Sequence, residues 1–161
     1  MIYVSLSTIP SRINTINKSI DSLMNQSLKP DKIFLNIPTY FKRFKETIID
    51  KDIPKLPDIV EITRCDDCGP GTKLLGSINK LKENSLIVLA DDDQIYEDYM
   101  LETFYKFYRK NPNNAYSFYV HPLGKFGIGQ GADGFAINTN SLENINLFYN
   151  KIVKDNFELF L

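Results

Sequence analysis

Leu86-Ile87-Val88-Leu89-Ala90-Asp91-Asp92-Asp93 joins an unbroken apolar run to three consecutive carboxylates. Five apolar residues in a row are strand length, and a strand with no polar face must be covered on both sides. The chain on either side supplies the cover. Residues 2–8 alternate and carry β-branched side chains. Lys32 to Ile37, Ile59 to Thr63, residues 115–120 and residues 135–138 read as further strands. Between them apolar residues recur at helical spacing. Ile13, Ile16, Ile20, Leu23 and Met24 predict a helix from Asn14 to Gln26, with Ser11 or Asn14 as its cap. Leu74, Leu75, Ile78 and Leu81 predict one over Thr72 to Lys82. A third runs from Glu97 to Lys110, with acids in its first turn and Lys106, Arg109 and Lys110 in its last. Its Phe104, Tyr105, Phe107 and Tyr108 read as a core face. A last helix covers 141–154. Phe41, Phe44, Ile48 and Ile49 suggest a short helix before Pro54 and Pro57. Strands alternating with helices specify an α/β fold: a mostly parallel sheet with helices on both faces.

Composition narrows the function. The 161 residues suit one domain. Nineteen basic residues against twenty acidic ones leave a net charge of −1, so a non-specific nucleic-acid binder is disfavoured. Apolar runs stay far short of the roughly 20 residues of a membrane helix, and Met1 to Leu6 lacks the pattern of a signal peptide. The expectation is a cytoplasmic protein with no membrane span. Cys65 and Cys68 form one C-x-x-C beside a single histidine, His121. Zinc needs about four ligands, so two free thiols are the plainer reading.

All eight glycines fall in two groups, 69–76 and 124–134. The second contains Gly127-x-Gly129-x-Gly131, whose spacing is not a dinucleotide fingerprint; it suits a wall of a pocket. Asp133 within it is an acceptor-side carboxylate or an Asp in a turn. The acidic triplet lies past the carboxyl end of a buried strand, where open α/β sheets place ligands. Asp91 and Asp93 would point to one side of an extended stretch and face one hard divalent cation; the alternative is a solvated turn capping the next helix. Lys73 follows Cys68-Gly69-Pro70-Gly71-Thr72 and opens a helix, placed to meet a phosphate or simply exposed to solvent. Thr8, Pro10 and Arg12 occupy the loop after the first strand, where an arginine reaches a phosphate, stacks on a base, or decorates the surface. An acidic pair, a lysine and an arginine on one sheet edge suit a diphosphate bound through a metal.

Four segments then carry a resemblance: Ser5 to Arg12, Leu28 to Asn36, Cys65 to Leu74 and Leu89 to Tyr96. In this order and spacing the chain resembles glycosyltransferases of the GT-A fold, whose domain is of the nucleotide-diphospho-sugar transferase type. It is similar to the family 2-like transferases of bacteria and large DNA viruses. The resemblance implies a three-layer α/β/α domain over 1–161. Residues 1–100 would form the donor half and 101–161 a partial acceptor half. It implies a nucleotide-sugar donor, a UDP-sugar for preference, Mn²⁺ or Mg²⁺, and a glycan or protein-linked sugar as acceptor. Asp91-x-Asp93 matches the family's DxD, which assigns Asp91 and Asp93 to the metal and Asp91 and Asp92 to the donor nucleotide. Thr8, Pro10, Arg12 and Lys73 match donor-facing positions. Asn36 stands where many relatives carry a nucleoside-contacting acid. Relatives also continue into a segment bearing a catalytic base, whereas this chain ends at Phe157-Glu158-Leu159-Phe160-Leu161. A shortened chain is therefore expected, with Asp133 as the nearby base. The functional expectation is a metal-dependent glycosyltransferase. A nucleotide-sugar binding module without a base, and a metal-dependent nucleotidyltransferase or phosphohydrolase, are the alternatives.

Overall fold

A computed structural model of the chain describes residues 1–124 and 126–153. In chain order the elements are β1 (Ile2–Ser7), α1 (Ile16–Met24), β2 (Lys32–Pro38), β3 (Val60–Cys65), α2 (Thr72–Leu75) and β4 (Leu86–Leu89). They continue with α3 (Met100–Lys110), β5 (Tyr116–Ser117), β6 (Val120–Leu123), β7 (Phe126–Gly129), β8 (Phe135–Asn138) and α4 (Ile145–Phe148). Six strands form one sheet in the order β3-β2-β1-β4-β8-β5. The first four are parallel, β8 runs antiparallel to β4, and β5 antiparallel to β8. Strands β6 and β7 pair separately as a hairpin.

Strand alternation sorts the core into two layers. Val4, Leu6, Ile33, Leu35, Leu86 and Val88 pack with Ile16, Ile20 and Leu23 of α1 and with Met100, Leu101 and Phe104 of α3. Tyr3, Phe34 and Ile87 point the other way, to Leu74, Ile78, Leu142 and Ile145. The result is the three-layer α/β/α architecture, with Leu86, Ile87 and Val88 buried at the centre of the sheet and Leu89 partly so.

Several local expectations are corrected. Residues 41–46 form no helix: Phe41 bridges Glu46 as in a hairpin, and Lys45 turns the chain at φ 56°. Neither Ser11 nor Asn14 caps the first helix. The chain instead enters α1 through a 3₁₀ turn at Ile13–Thr15. Helix α3 starts at Met100 rather than Glu97; the Glu97 carbonyl accepts Met100 N–H (3.1 Å) and, like that of Asp98, a donor from the chain just after α1. Gln26 Nε2 donates to Glu97 O (2.8 Å) and Ser27 N–H to Asp98 O (2.7 Å), which ties the turn to the end of α1. Phe107 on α3 is exposed rather than core. The strand expected over 115–120 shrinks to two residues. The glycine-rich stretch contains β7, and the last helix breaks into a 3₁₀ turn, α4 and a π turn. The apolar end at 157–161 lies outside the described residues.

Strand direction builds the functional edge. Strands β1, β2, β3 and β4 deliver their carboxyl ends to one edge, and antiparallel β8 begins there. Its first residue, Phe135, pairs with Leu89, so Ala132 and Asp133 arrive beside Asp91. Gly134 makes that entry at φ 95°, against Met100 and Phe104 of α3.

The helix predicted over 72–82 stops after four residues, and a 3₁₀ turn at Ile78–Lys80 follows it. The break lies at Gly76, whose backbone presses on Asn36. A Cβ there would sit 2.7 Å from Asn36 Oδ1 and 2.8 Å from its Cβ and Cγ. Asn36 is fully buried and cannot yield. Gly76→Ala is therefore expected to lower stability by about 1–3 kcal/mol in urea unfolding, despite alanine's higher helix propensity.

Candidate functional site

Asp92 anchors the edge. Its side chain is 3% exposed, immediately past β4. Thr8 Oγ1 donates to Asp92 Oδ2 at 2.6 Å. Arg12 grips the same carboxylate with Nε on Oδ2 (3.0 Å) and Nη2 on Oδ1 (2.8 Å). Its Nη1 reaches Asp93 Oδ2 at 2.8 Å. Buried charge requires such donors, and the planar guanidinium matches two carboxylate oxygens at once. The Ser19 hydroxyl of α1 lies 2.7 Å from the carbonyls of both Asp92 and Gln94 and holds the acidic turn from below.

Lys73 is fixed from the other side. Its ammonium pairs with Asp91 Oδ1. Its carbonyl accepts from Ser5 Oγ (2.5 Å) and from Asn36 Nδ2 (3.2 Å), and Asn36 Nδ2 also reaches Ser5 Oγ at 2.9 Å. Asn36 lies beneath α2 and does not line the cleft. Its Oδ1 faces Gly76 without a hydrogen-bond partner among the described residues.

Thr8, Arg12, Thr72, Lys73, Asp91 and Asp92 line one cleft of about 330 Å³. Pro10, in the same loop as Arg12, borders a different hollow near Ile48. Asp93 stands at the rim on Arg12, its side chain 46% exposed. Asp133 lines a neighbouring cleft of about 320 Å³ with Tyr96, Tyr99 and Phe118. Tyr96, which lines the second cleft, bonds to the backbone of Asp91, which lines the first. Its hydroxyl accepts from Asp91 N–H (2.6 Å) and donates to Ala132 O (3.2 Å). Burial first, then the charges of Asp91, Asp93 and Asp133, push its phenol well above the ordinary tyrosine range.

Sequence reasoning missed Tyr96 and Asp67. Nothing local marks Tyr96. Asp67 had a signal: an Asp two residues before a glycine is an Asx-turn pattern. Its Oδ1 accepts from Gly69 N–H (3.0 Å) and its Oδ2 from Lys42 N–H (2.8 Å), shaping the cleft's far wall. Cys65 and Cys68 are free thiols. Burial pushes Cys65 up to about 12 and raises Cys68 as well, which keeps both thiols protonated near neutral pH.

Among the described residues, no three His, Cys, Asp or Glu side chains gather as a ready-made metal site. Asp91 and Asp93 nevertheless offer hard carboxylate oxygens at the cleft and its rim. Two carboxylates with phosphate oxygens and water form a common Mg²⁺ ligand set, so the donor chemistry fits a hard divalent cation that arrives with a phosphate.

No protein-family model and no curated protein matches the sequence. Solved structures do match. A mannosyltransferase from Pyrobaculum calidifontis, in complex with GDP-Man and Mn²⁺, superposes with a TM-score of 0.63 at 15% identity, over 89% of this chain and 46% of that one. Residues 1–349 of S. aureus TarS, in complex with UDP-GlcNAc, give 0.60 at 12% identity, over 90% and 47%. The 2-C-methyl-D-erythritol 4-phosphate cytidylyltransferase of Francisella tularensis gives 0.61 at 11% identity, over 99% and 81%. These likenesses show a shared α/β fold. The chain spans about half the length of the mannosyltransferase and TarS structures and most of the cytidylyltransferase. No helix among the described residues is long and apolar enough to cross a membrane.

The two carboxylates bonded by Arg12 differ in burial, and their removal should differ accordingly. Asp92→Ala leaves Thr8 without its acceptor and Arg12 with Asp93 alone, and is expected to cost about 1–3 kcal/mol in chemical denaturation. Asp93→Ala removes an exposed pair and should stay within about 0.5 kcal/mol of the parent.

Proposed function

We propose that the chain is a metal-dependent glycosyltransferase domain that binds a nucleotide-sugar, a UDP-sugar for preference, in the cleft at the carboxyl edge of its sheet. One observation carries this reading: Arg12 and Lys73 share that cleft with Thr8, Thr72, Asp91 and Asp92. Two cations against three adjacent carboxylates leave the edge close to neutral, held in reserve for a diphosphate. When phosphate oxygens enter, Lys73 exchanges Asp91 for the ligand, and Arg12 uses N–H groups not engaged by Asp92 and Asp93. Asp91 and Asp93 would hold Mn²⁺ or Mg²⁺, which supplies charge neutralisation for the departing diphosphate. The acceptor oxygen bonds to the sugar's anomeric carbon as the bond from that carbon to the diphosphate oxygen breaks. Asp133, in the adjoining cleft, takes the acceptor's proton. The acceptor class is a sugar hydroxyl of a glycan or of a protein-linked sugar. The UDP-GlcNAc and the GDP-Man with Mn²⁺ bound by two of the similar structures support this chemistry.

A second reading is nucleotidyl transfer, favoured by the cytidylyltransferase, of which this chain covers 81%. The same cations would then face a nucleoside triphosphate, and pyrophosphate would leave. Product analysis separates the two: UDP released from a UDP-sugar against pyrophosphate released from CTP or UTP. Donor binding with neither product would identify a binding module.

Calorimetry with UDP tests the site itself. Mn²⁺ is expected to tighten UDP binding by about tenfold or more. Asp91→Asn and Asp93→Ala should abolish that gain, and Lys73→Met should weaken UDP by roughly tenfold with or without metal. Unchanged Mn²⁺ dependence in both aspartate variants would sink the metal assignment.

A further inference from the structure

The lining of the cleft is of two chemical kinds: the polar and cationic Arg12, Lys73, Thr8 and Thr72, and the apolar Phe41, Phe44, Pro38 and Ile9, with Arg43 over the Phe44 ring. A bare diphosphate needs only the first. Aromatic and cationic lining in one cleft matches a ligand in which a flat ring is joined to phosphates.

The aromatic wall is a built element. Residues 41–46 fold back on themselves through two backbone bonds: Phe41 N–H donates to Glu46 O at 2.9 Å and Lys45 N–H to Phe41 O at 2.8 Å. Lys42 N–H and Nζ both donate to Asp67, at 2.8 Å to Oδ2 and 3.3 Å to the carbonyl, tying this knuckle to the glycine turn on the opposite wall. Phe41 is buried and plants the knuckle in the core, whereas Phe44 is 38% exposed at the cleft. The Phe44 ring is held from two sides. Phe41 meets it edge-on, with centroids 6.3 Å apart at 61°, and the Arg43 guanidinium lies over it at 5.6 Å. An exposed phenylalanine held in one orientation beside a cationic pocket costs solvation and side-chain freedom, and a stacked ring offsets both.

We propose that the knuckle 41–46 is the nucleobase subsite of the cleft, with Phe44 as the stacking platform and Asp67 as the residue that positions it. This rests on the donor reading above and adds the part of the ligand that the phosphate contacts leave open. Stacking on a π-face does not read hydrogen-bond edges, so Phe44 contributes affinity for any base and little choice between bases.

Calorimetry with three probes tests it: inorganic pyrophosphate, UDP and GDP, each with Mn²⁺. On the parent chain both nucleotides are expected to bind more tightly than pyrophosphate. Phe44→Ala should weaken UDP and GDP alike by about fivefold or more and leave pyrophosphate unchanged; Phe44→Tyr should restore both nucleotides. Phe44 is partly exposed, so the fold tolerates these changes, and the pyrophosphate titration reports on the phosphate end independently. The proposal is overturned if Phe44→Ala leaves nucleotide affinity intact while UDP binds normally, an outcome that spares the donor reading. It is overturned too if pyrophosphate weakens in step with the nucleotides, since that reports general damage. Absence of binding by all three probes on the parent chain overturns the donor reading along with it.

Discussion

A carboxylate taken out of water must be met by donors, and the Asp92 side chain sets that requirement at the centre of the sheet edge. Its partners, Thr8 and Arg12, come from the loop after β1, and Ser19 of α1 holds its backbone. Residues 8–19 and Asp92, separated by 73 to 84 positions in sequence, are thereby drawn to one point. Arg12 would otherwise be a long, flexible side chain with many rotamers to lose on binding anything. Held in a fork, it stands ready at the cleft before a ligand arrives, and less ordering remains to be done at the moment of binding.

The layered fold was legible because burial on both faces leaves no polar position in Leu86–Leu89, and because helical spacing recurs between the strands. Elements fixed by distant contacts were not legible. Phe41 and Phe44 are three apart, as on a helix, yet the same spacing serves a folded-back turn once Lys45 takes a left-handed conformation. The periodicity from Leu74 to Leu81 continues across Gly76, but the backbone there gives way to a residue on β2 that no local window contains. Arithmetic of strand faces would have placed Asn36 better than its position at a strand end did. It shares parity with Phe34, hence a place under α2 and away from the cleft.

Within the site, Thr8, Arg12, Lys73, Asp91 and Asp92 come together in one cleft, as residues placed at the carboxyl ends of parallel strands must. The sequence could not show that the triplet is already matched by cations. A run of three acids suggests an open negative site; the fold instead shares Arg12 between two of them and gives Lys73 to the third. Asp91 and Asp93, adjacent in the expected motif, end in different surroundings, one within the cleft and one at its rim. Asp133 reaches the neighbourhood only because β8 runs against β4, a matter of topology that composition does not record.

Helix α2 is four residues long, too short to hold itself together in water. Its order is borrowed from beneath, through the bonds that Ser5 and Asn36 make to the Lys73 carbonyl. Side chains of β1 and β2 thus hold the lysine's backbone while Asp91 holds its ammonium. Amide exchange along Thr72–Leu75 would follow the local opening of this turn rather than global unfolding. Ligand contact at the Lys73 ammonium would slow that exchange, making the turn a natural reporter of occupancy in the cleft above it.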